Sequence, residues 1–139
     1  MNTTAAPATE DGQGASPKLA LITGPSSGTG REFARLLARE GYKLIIVARR
    51  EDRLAGLAAE FPDMAIRPVI ADHSTYAGVA AVADLCASEP LTLLVNNAGV
   101  AHYMSFAQLP ADKASELLHV KVIAPTMLGT GERMFENVR

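Results

Sequence analysis

The segment Thr23-Gly24-Pro25-Ser26-Ser27-Gly28-Thr29-Gly30 constrains the fold more than any other part of the chain, because of what stands on either side of it. Before it, Leu19-Ala20-Leu21-Ile22 is a short apolar run of the kind that forms a fully buried parallel strand. After it, Phe33, Leu36 and Leu37 recur at helical spacing, while Arg31, Arg35 and Arg39 fall at intervals of four on the opposite, solvated face. Gly41 then suits a helix C-cap. Strand, glycine turn and helix in that order make an anion site: the turn lets backbone approach a diphosphate, and the helix N-terminus offers free N–H groups and a favourable dipole. Ser26 and Ser27 add hydroxyl donors.

The same alternation continues down the chain. Leu44-Ile45-Ile46-Val47 repeats the buried-strand pattern, and Leu54, Leu57, Ala58 and Phe61 give a second amphipathic helix closed by Pro62. Residues 66–71 read as a third strand and residues 72–75 as a helix cap. Val79, Val82, Ala83 and Cys86 then share one helical face, which makes Cys86 core packing. Leu91-Thr92-Leu93-Leu94-Val95 predicts a fourth buried strand. A long helix follows from near Pro110, carrying Leu117, Leu118, Val120, Val122, Ile123, Met127 and Leu128, apolar nearly all round and so expected to pack on more than one side, with a kink at Pro125. Strands and helices alternating at this spacing predict an α/β fold with a parallel sheet covered on both faces.

Length and composition allow one domain, over residues 17–139, with 48% hydrophobic and 20% charged residues. Residues 1–16, small and polar, are expected to be a flexible tail. A net charge of −2 gives no reason to expect nucleic acid or an anionic membrane as partner. Cys86 is the single cysteine, so an intramolecular disulfide is excluded and a reducing interior is expected. With no signal-peptide pattern and no apolar run of transmembrane length, the expectation is a soluble, cytoplasmic protein.

Two phosphate-binding motifs compete for the glycine loop. A P-loop needs a lysine after its last glycine, whereas Gly30 is followed by Arg31 at the wrong spacing, and the G-x-G-x-x-G pattern of many dinucleotide enzymes is absent. The spacing here is G-x3-G-x-G. Thr23-Gly24-x3-Gly28-x-Gly30, Asp72 after the third strand and Asn96-Asn97-Ala98-Gly99 after the fourth together resemble the short-chain dehydrogenase/reductase family, from Lys18 to the end. The resemblance implies a Rossmann-type doubly wound parallel sheet, here ending after about four strands and the following long helix, as in the front portion of a classical-type member.

The resemblance also implies roles. The glycine loop (Gly24, Ser26, Ser27, Gly28, Thr29, Gly30) would hold the diphosphate of a dinucleotide, with Thr29 departing from the family's usual apolar residue. Asp72 would contact the adenine edge. Asn96 and Ala98 would line the adenosine ribose, and Gly99 would let the backbone pass close; Asn96-Asn97 also reads as a turn that ties neighbouring strands together. Cofactor choice follows from chemistry: an NAD site places a carboxylate at the end of the second strand, where this chain has Ala48-Arg49-Arg50. Guanidinium groups there suit a 2′-phosphate, so NADP is favoured over NAD, although Arg49 and Arg50 also balance Glu51 and Asp52.

In this family hydride transfer is assisted by a Tyr with a Lys four residues on, and by a Ser. Tyr42, Tyr76 and Tyr103 are followed at that distance by Ile46, Ala80 and Ala107, so no such pair is present and no catalytic residue is assigned. Lys121 stands where the family's long helix carries a proton-relay Asn, which reads as loss of that relay. His73, His102 and His119 have no metal-ligand spacing and are expected in loops and on the surface. The parent activity expected is an NADP-dependent oxidoreductase acting on a carbonyl or secondary alcohol, of which this chain is a truncated form. The alternative is a non-catalytic NADP(H)-binding or interaction module. An unpaired strand edge and an apolar helix face make a homo-oligomer the expected state.

Overall fold

The computed structural model describes residues 18–130, so the tail expected over residues 1–16 lies outside it. Strands β1 (Leu19–Thr23), β2 (Lys43–Ala48), β3 (Ile66–Ile70) and β4 (Leu93–Asn96) form one sheet in the order β3-β2-β1-β4. Every pair is parallel, with Leu21 opposite Ile45 and Leu94, and Ile45 opposite Arg67. Between the strands run α1 (Gly28–Arg39), α2 (Glu51–Ala59) and α3 (Tyr76–Ser88), and after β4 come α4 (Ala111–Leu118) and α5 (Ala124–Thr130). Gly41, at φ 81, ends the first helical unit.

The apolar runs are continuous because each central strand is covered on both faces. Ala20, Ile22, Leu44 and Ile46 pack against Ala34, Leu37 and Ala38 of α1 and Leu54 and Leu57 of α2. Their alternate neighbours Leu21, Ile45 and Val47 face the other way, against Val82 of α3 and Leu128 of α5. Each fully buried Leu or Ile contributes roughly 1.5–3 kcal/mol, so β1 and β2 anchor the domain. Pro68, which cannot donate to a ladder, sits in β3 at the sheet edge, where its missing N–H costs least.

Several expectations need correction. The α1 face buried in the core is Ala34, Leu37 and Ala38, whereas Phe33 and Leu36 are 41% and 53% exposed. Small alanines let α1 lie close on the sheet and turn the larger side chains outward. Arg31 and Arg35 are not simply solvated, since both pair with Glu60 at the end of α2. The fourth strand is shorter than expected and half-buried, because it forms the other edge of the described sheet. The long helix is not packed all round: α4 buries no residue, and Leu118 and Val122 are more than half exposed. Disruption at Pro125 takes the form of a π turn over His119–Ile123, in which the Ala124 N–H donates to the His119 carbonyl. Cys86 is half-buried in the core, and burial pushes its thiol pKa up, as inert packing requires.

Candidate functional site

At the C-terminal ends of the parallel strands the chain leaves β1 towards β2 and β3, then returns to the other side of β1 as β4. Such a reversal opens a crevice over the strand ends. Gly24, Ser26, Ser27 and Thr29 line it from the loop after β1, and Ala48, Arg49 and Arg50 from the end of β2. Ala71, Asp72 and His73 contribute after β3, Asn97, Ala98, Gly99 and Val100 after β4, and Val120 from the π turn. The cleft has a volume of about 340 Å³ and is open to solvent.

The loop is held by a network that the glycine pattern alone does not reveal. Gly24, at φ 67, donates its N–H to Val47 O at 2.8 Å and accepts from Asn97 Nδ2 at 3.0 Å. A Cβ on Gly24 would lie 2.7 Å from Ala98 Cα, and one on Gly30 would overlap the Asn97 amide. Thr23, almost wholly buried at the end of β1, accepts through Oγ1 from the backbone N–H groups of Asn97 (3.1 Å) and Ala98 (3.0 Å). The strand end after β4 is thereby fastened to the glycine loop. Asn97 does what the sequence reading of Asn96-Asn97 as a strand-tying turn expects. Thr23 has no role in that reading; its signal is a hydroxyl inside an apolar run, which must find partners when buried.

Helix α1 begins beside this cleft with no side-chain cap on Ser27 and no acidic residue in its first turn. Its first N–H groups therefore remain available to an anion. Gly28 and Gly30 lie in that turn, beside the cleft rather than in its lining. Asn96 is exposed and faces a second hollow behind the cleft, with Nδ2 3.5 Å from Pro125 O. Lys121 borders the same hollow, its Cε 4.0 Å from where a Cβ on Gly99 would sit. Arg49 and Arg50 are both exposed at the end of β2.

Asp72 is set by its own turn: Oδ1 accepts from Ser74 N at 2.9 Å and Ser74 Oγ at 2.7 Å. Burial works to raise its pKa, but the Ser74 hydroxyl and amide, with Arg49 and His73 nearby, hold it below the usual carboxylate value.

His73 corrects the expectation of a surface histidine. It is 5% exposed, lines both the cleft and the hollow behind it, and its Nε2 has no hydrogen-bond partner among the described residues. Burial lowers its pKa, with Asp72 opposing. The folded protein thus binds fewer protons at this ring than the unfolded chain, whose imidazole titrates near pH ~6.5. Stability is therefore expected to fall as pH drops below that value and to go on falling until the folded pKa is reached. Asp72 adds its own loss only in the lower, carboxylate range, because its folded pKa is depressed. Thermal melts between pH 7.5 and 5 check this: His73→Leu should flatten the upper window, and an unchanged slope would show that the ring is not the cause.

Residues 18–132 match the short chain dehydrogenase family. A very-long-chain 3-oxoacyl-CoA reductase of Eremothecium gossypii is 31% identical, over 83% of this chain and 37% of its own length. Among solved structures, the bulky-bulky ketone specific alcohol dehydrogenase of Comamonas testosteroni superposes with a TM-score of 0.80 at 32% identity, over 82% of this chain and 47% of the other. A short-chain dehydrogenase of Sphingobium yanoikuyae in complex with NADPH gives 0.79 at 36% identity, over 82% and 46%. The chain thus spans about a third of the length of the curated relatives it matches and somewhat under half of the solved ones. Among the described residues no helix is long and apolar enough to cross a membrane.

Proposed function

Because the chain belongs to the short chain dehydrogenase family, we propose that it forms the NADP(H)-binding portion of an oxidoreductase acting on a carbonyl or secondary alcohol. The observation that carries the NADP preference is the meeting, in one cleft, of the uncapped N-terminus of α1 with Arg49 and Arg50, at a strand end that lacks a carboxylate.

The residues fit such a group. Backbone N–H groups at the start of α1 and the hydroxyls of Ser26 and Ser27 suit a diphosphate, and the guanidinium of Arg49 suits a 2′-phosphate through charge-assisted hydrogen bonds. Asp72, held ionised by Ser74, offers its second oxygen as an acceptor to an adenine amine. Ala98 and Gly99 leave room along the floor of the cleft. A bound nicotinamide supplies or accepts the hydride; what these residues do is bind the dinucleotide and fix its orientation.

NADPH is expected to bind the parent chain more tightly than NADH, and Arg49→Ala to weaken NADPH about 10- to 100-fold, in line with hydrogen bonds to charged groups, while leaving NADH unchanged. Equal affinities in the parent would sink the NADP reading. Lys121, at the position of the family's relay Asn, favours a second reading: a module that binds NADP(H) without turnover. It predicts saturable NADPH binding, and oxidation of that NADPH by any of a panel of aldehydes and ketones would sink it.

A further inference from the structure

The mouth of the cleft is spanned by an ion pair between elements far apart in the chain. Arg49, just after β2, places Nη1 3.6 Å from Oε1 of Glu116 in α4. Glu116 lies one helical turn before Val120, which lines the cleft, so both project from the same side of the helix. Its carboxylate is well covered and has further partners, Lys113 Nζ at 3.1 Å and His102 Nε2 at 3.4 Å from Oε2. Arg49 is the more exposed partner, with 56% of its side chain open against 16% for Glu116.

We propose that Glu116 determines cofactor discrimination, by holding Arg49 across the cleft mouth and competing with the 2′-phosphate of NADP(H) for its guanidinium. This rests on the reading of Arg49 given above. A guanidinium that turns towards a phosphate gives up part of its attraction to the carboxylate, so binding trades one anion against another instead of neutralising a free cation. The exchange is possible because Glu116 is not stranded when Arg49 leaves: Lys113 and His102 stay beside it. The same carboxylate repels a phosphate drawn to the guanidinium it touches. NADH has no phosphate at that position and feels neither effect. Glu116 is thus a positioning residue whose signature is the ratio of NADPH to NADH affinity.

The effect should be modest, because a pair with one partner this exposed is weak. Titrating the full chain with NADPH and with NADH, followed by nucleotide fluorescence, tests it. Glu116→Gln is expected to tighten NADPH about two- to fivefold and leave NADH unchanged, with the gain shrinking when Arg49→Ala is also present. Glu116→Asp, which draws the charge back from Arg49 but keeps it, should gain less, and it carries the test should the glutamine variant not fold. If Glu116→Gln leaves NADPH unchanged or weaker while Arg49→Ala still weakens it, the competition is overturned and the NADP reading stands. An equal gain for both nucleotides also overturns it. If Arg49→Ala leaves the preference untouched, or neither nucleotide binds, reading and inference fall together.

Discussion

Gly78→Ala is expected to destabilise the domain by about 2–3 kcal/mol, close to the upper limit for adding one methyl to a packed site. Gly78 lies in the first turn of α3, and a Cβ there would overlap the Asp72 carbonyl oxygen, with the Asp72 carbonyl carbon and nitrogen at 2.7 and 2.9 Å. All of these are backbone atoms, so no side chain can swing aside. The turn that would have to move is the one whose Asp72 carbonyl accepts from Thr75 Oγ1 and Thr75 N, while Thr75 Oγ1 accepts from Gly78 N and caps α3. The substitution therefore loosens the helix cap and shifts Asp72 out of the cleft wall together. Alanine's better helix propensity returns only about 1 kcal/mol. Thermal denaturation should show a melting temperature lower by roughly 10 °C, with NADPH binding weakened as well. Gly56→Ala, in α2 with open space around it, gains the same propensity without the collision and should melt slightly above the parent. A Gly78→Ala chain that melts with or above the parent would show that the Asp72 turn is not seated on α3.

The contrast between Gly56 and Gly78 shows where sequence reading succeeds and where it stops. Alternation of short apolar runs with helical spacing marks the parallel sheet, because β1 and β2 are buried on both faces and must be apolar throughout. The loop after β1 is legible for a related reason: local geometry demands glycine at Gly24, and the chain neighbours supply the helix end. What is invisible is whatever depends on residues brought together by the sheet. Nothing within α3 distinguishes Gly78 from an incidental glycine until Asp72 is folded onto it. Phe33 and Leu36 carry the apolar spacing of α1 but stand outside, since the close approach to the sheet is made by Ala34 and Ala38. His73 reads as a loop residue, yet it is buried beside a hollow that the ends of β1 and β4, the π turn and α5 line together. Glu116 reads as one more charge on a helix, and its meeting with Arg49 joins segments that share no local pattern.

Thr23→Val is the sharpest test of whether the glycine loop and the end of β4 act as one piece, with an expected cost of about 2–4 kcal/mol. Valine matches threonine in shape and suits a buried strand, so propensity and packing predict almost no change. The hydroxyl oxygen is what differs: at Thr23 it accepts from the N–H groups of Asn97 and Ala98, and it donates to Val95 O at 3.4 Å. Removing it leaves two partly buried backbone amides facing a methyl group, and an unpaired buried donor costs about 1–3 kcal/mol. To recover partners, the Asn97-Ala98 segment has to move away from β1. Asn97 would then carry its Nδ2 off Gly24 O, and the loop that lines the cleft would lose its second attachment. NADPH affinity should fall with stability, even though residue 23 lies behind the loop and not in the cleft lining. Thr23→Ser separates hydroxyl from methyl: it keeps the acceptor, loses about one methyl's worth of burial, near 0.8 kcal/mol, and should retain binding. A serine variant as damaged as the valine one would move the cause from the hydrogen bonds to the packing of the methyl group.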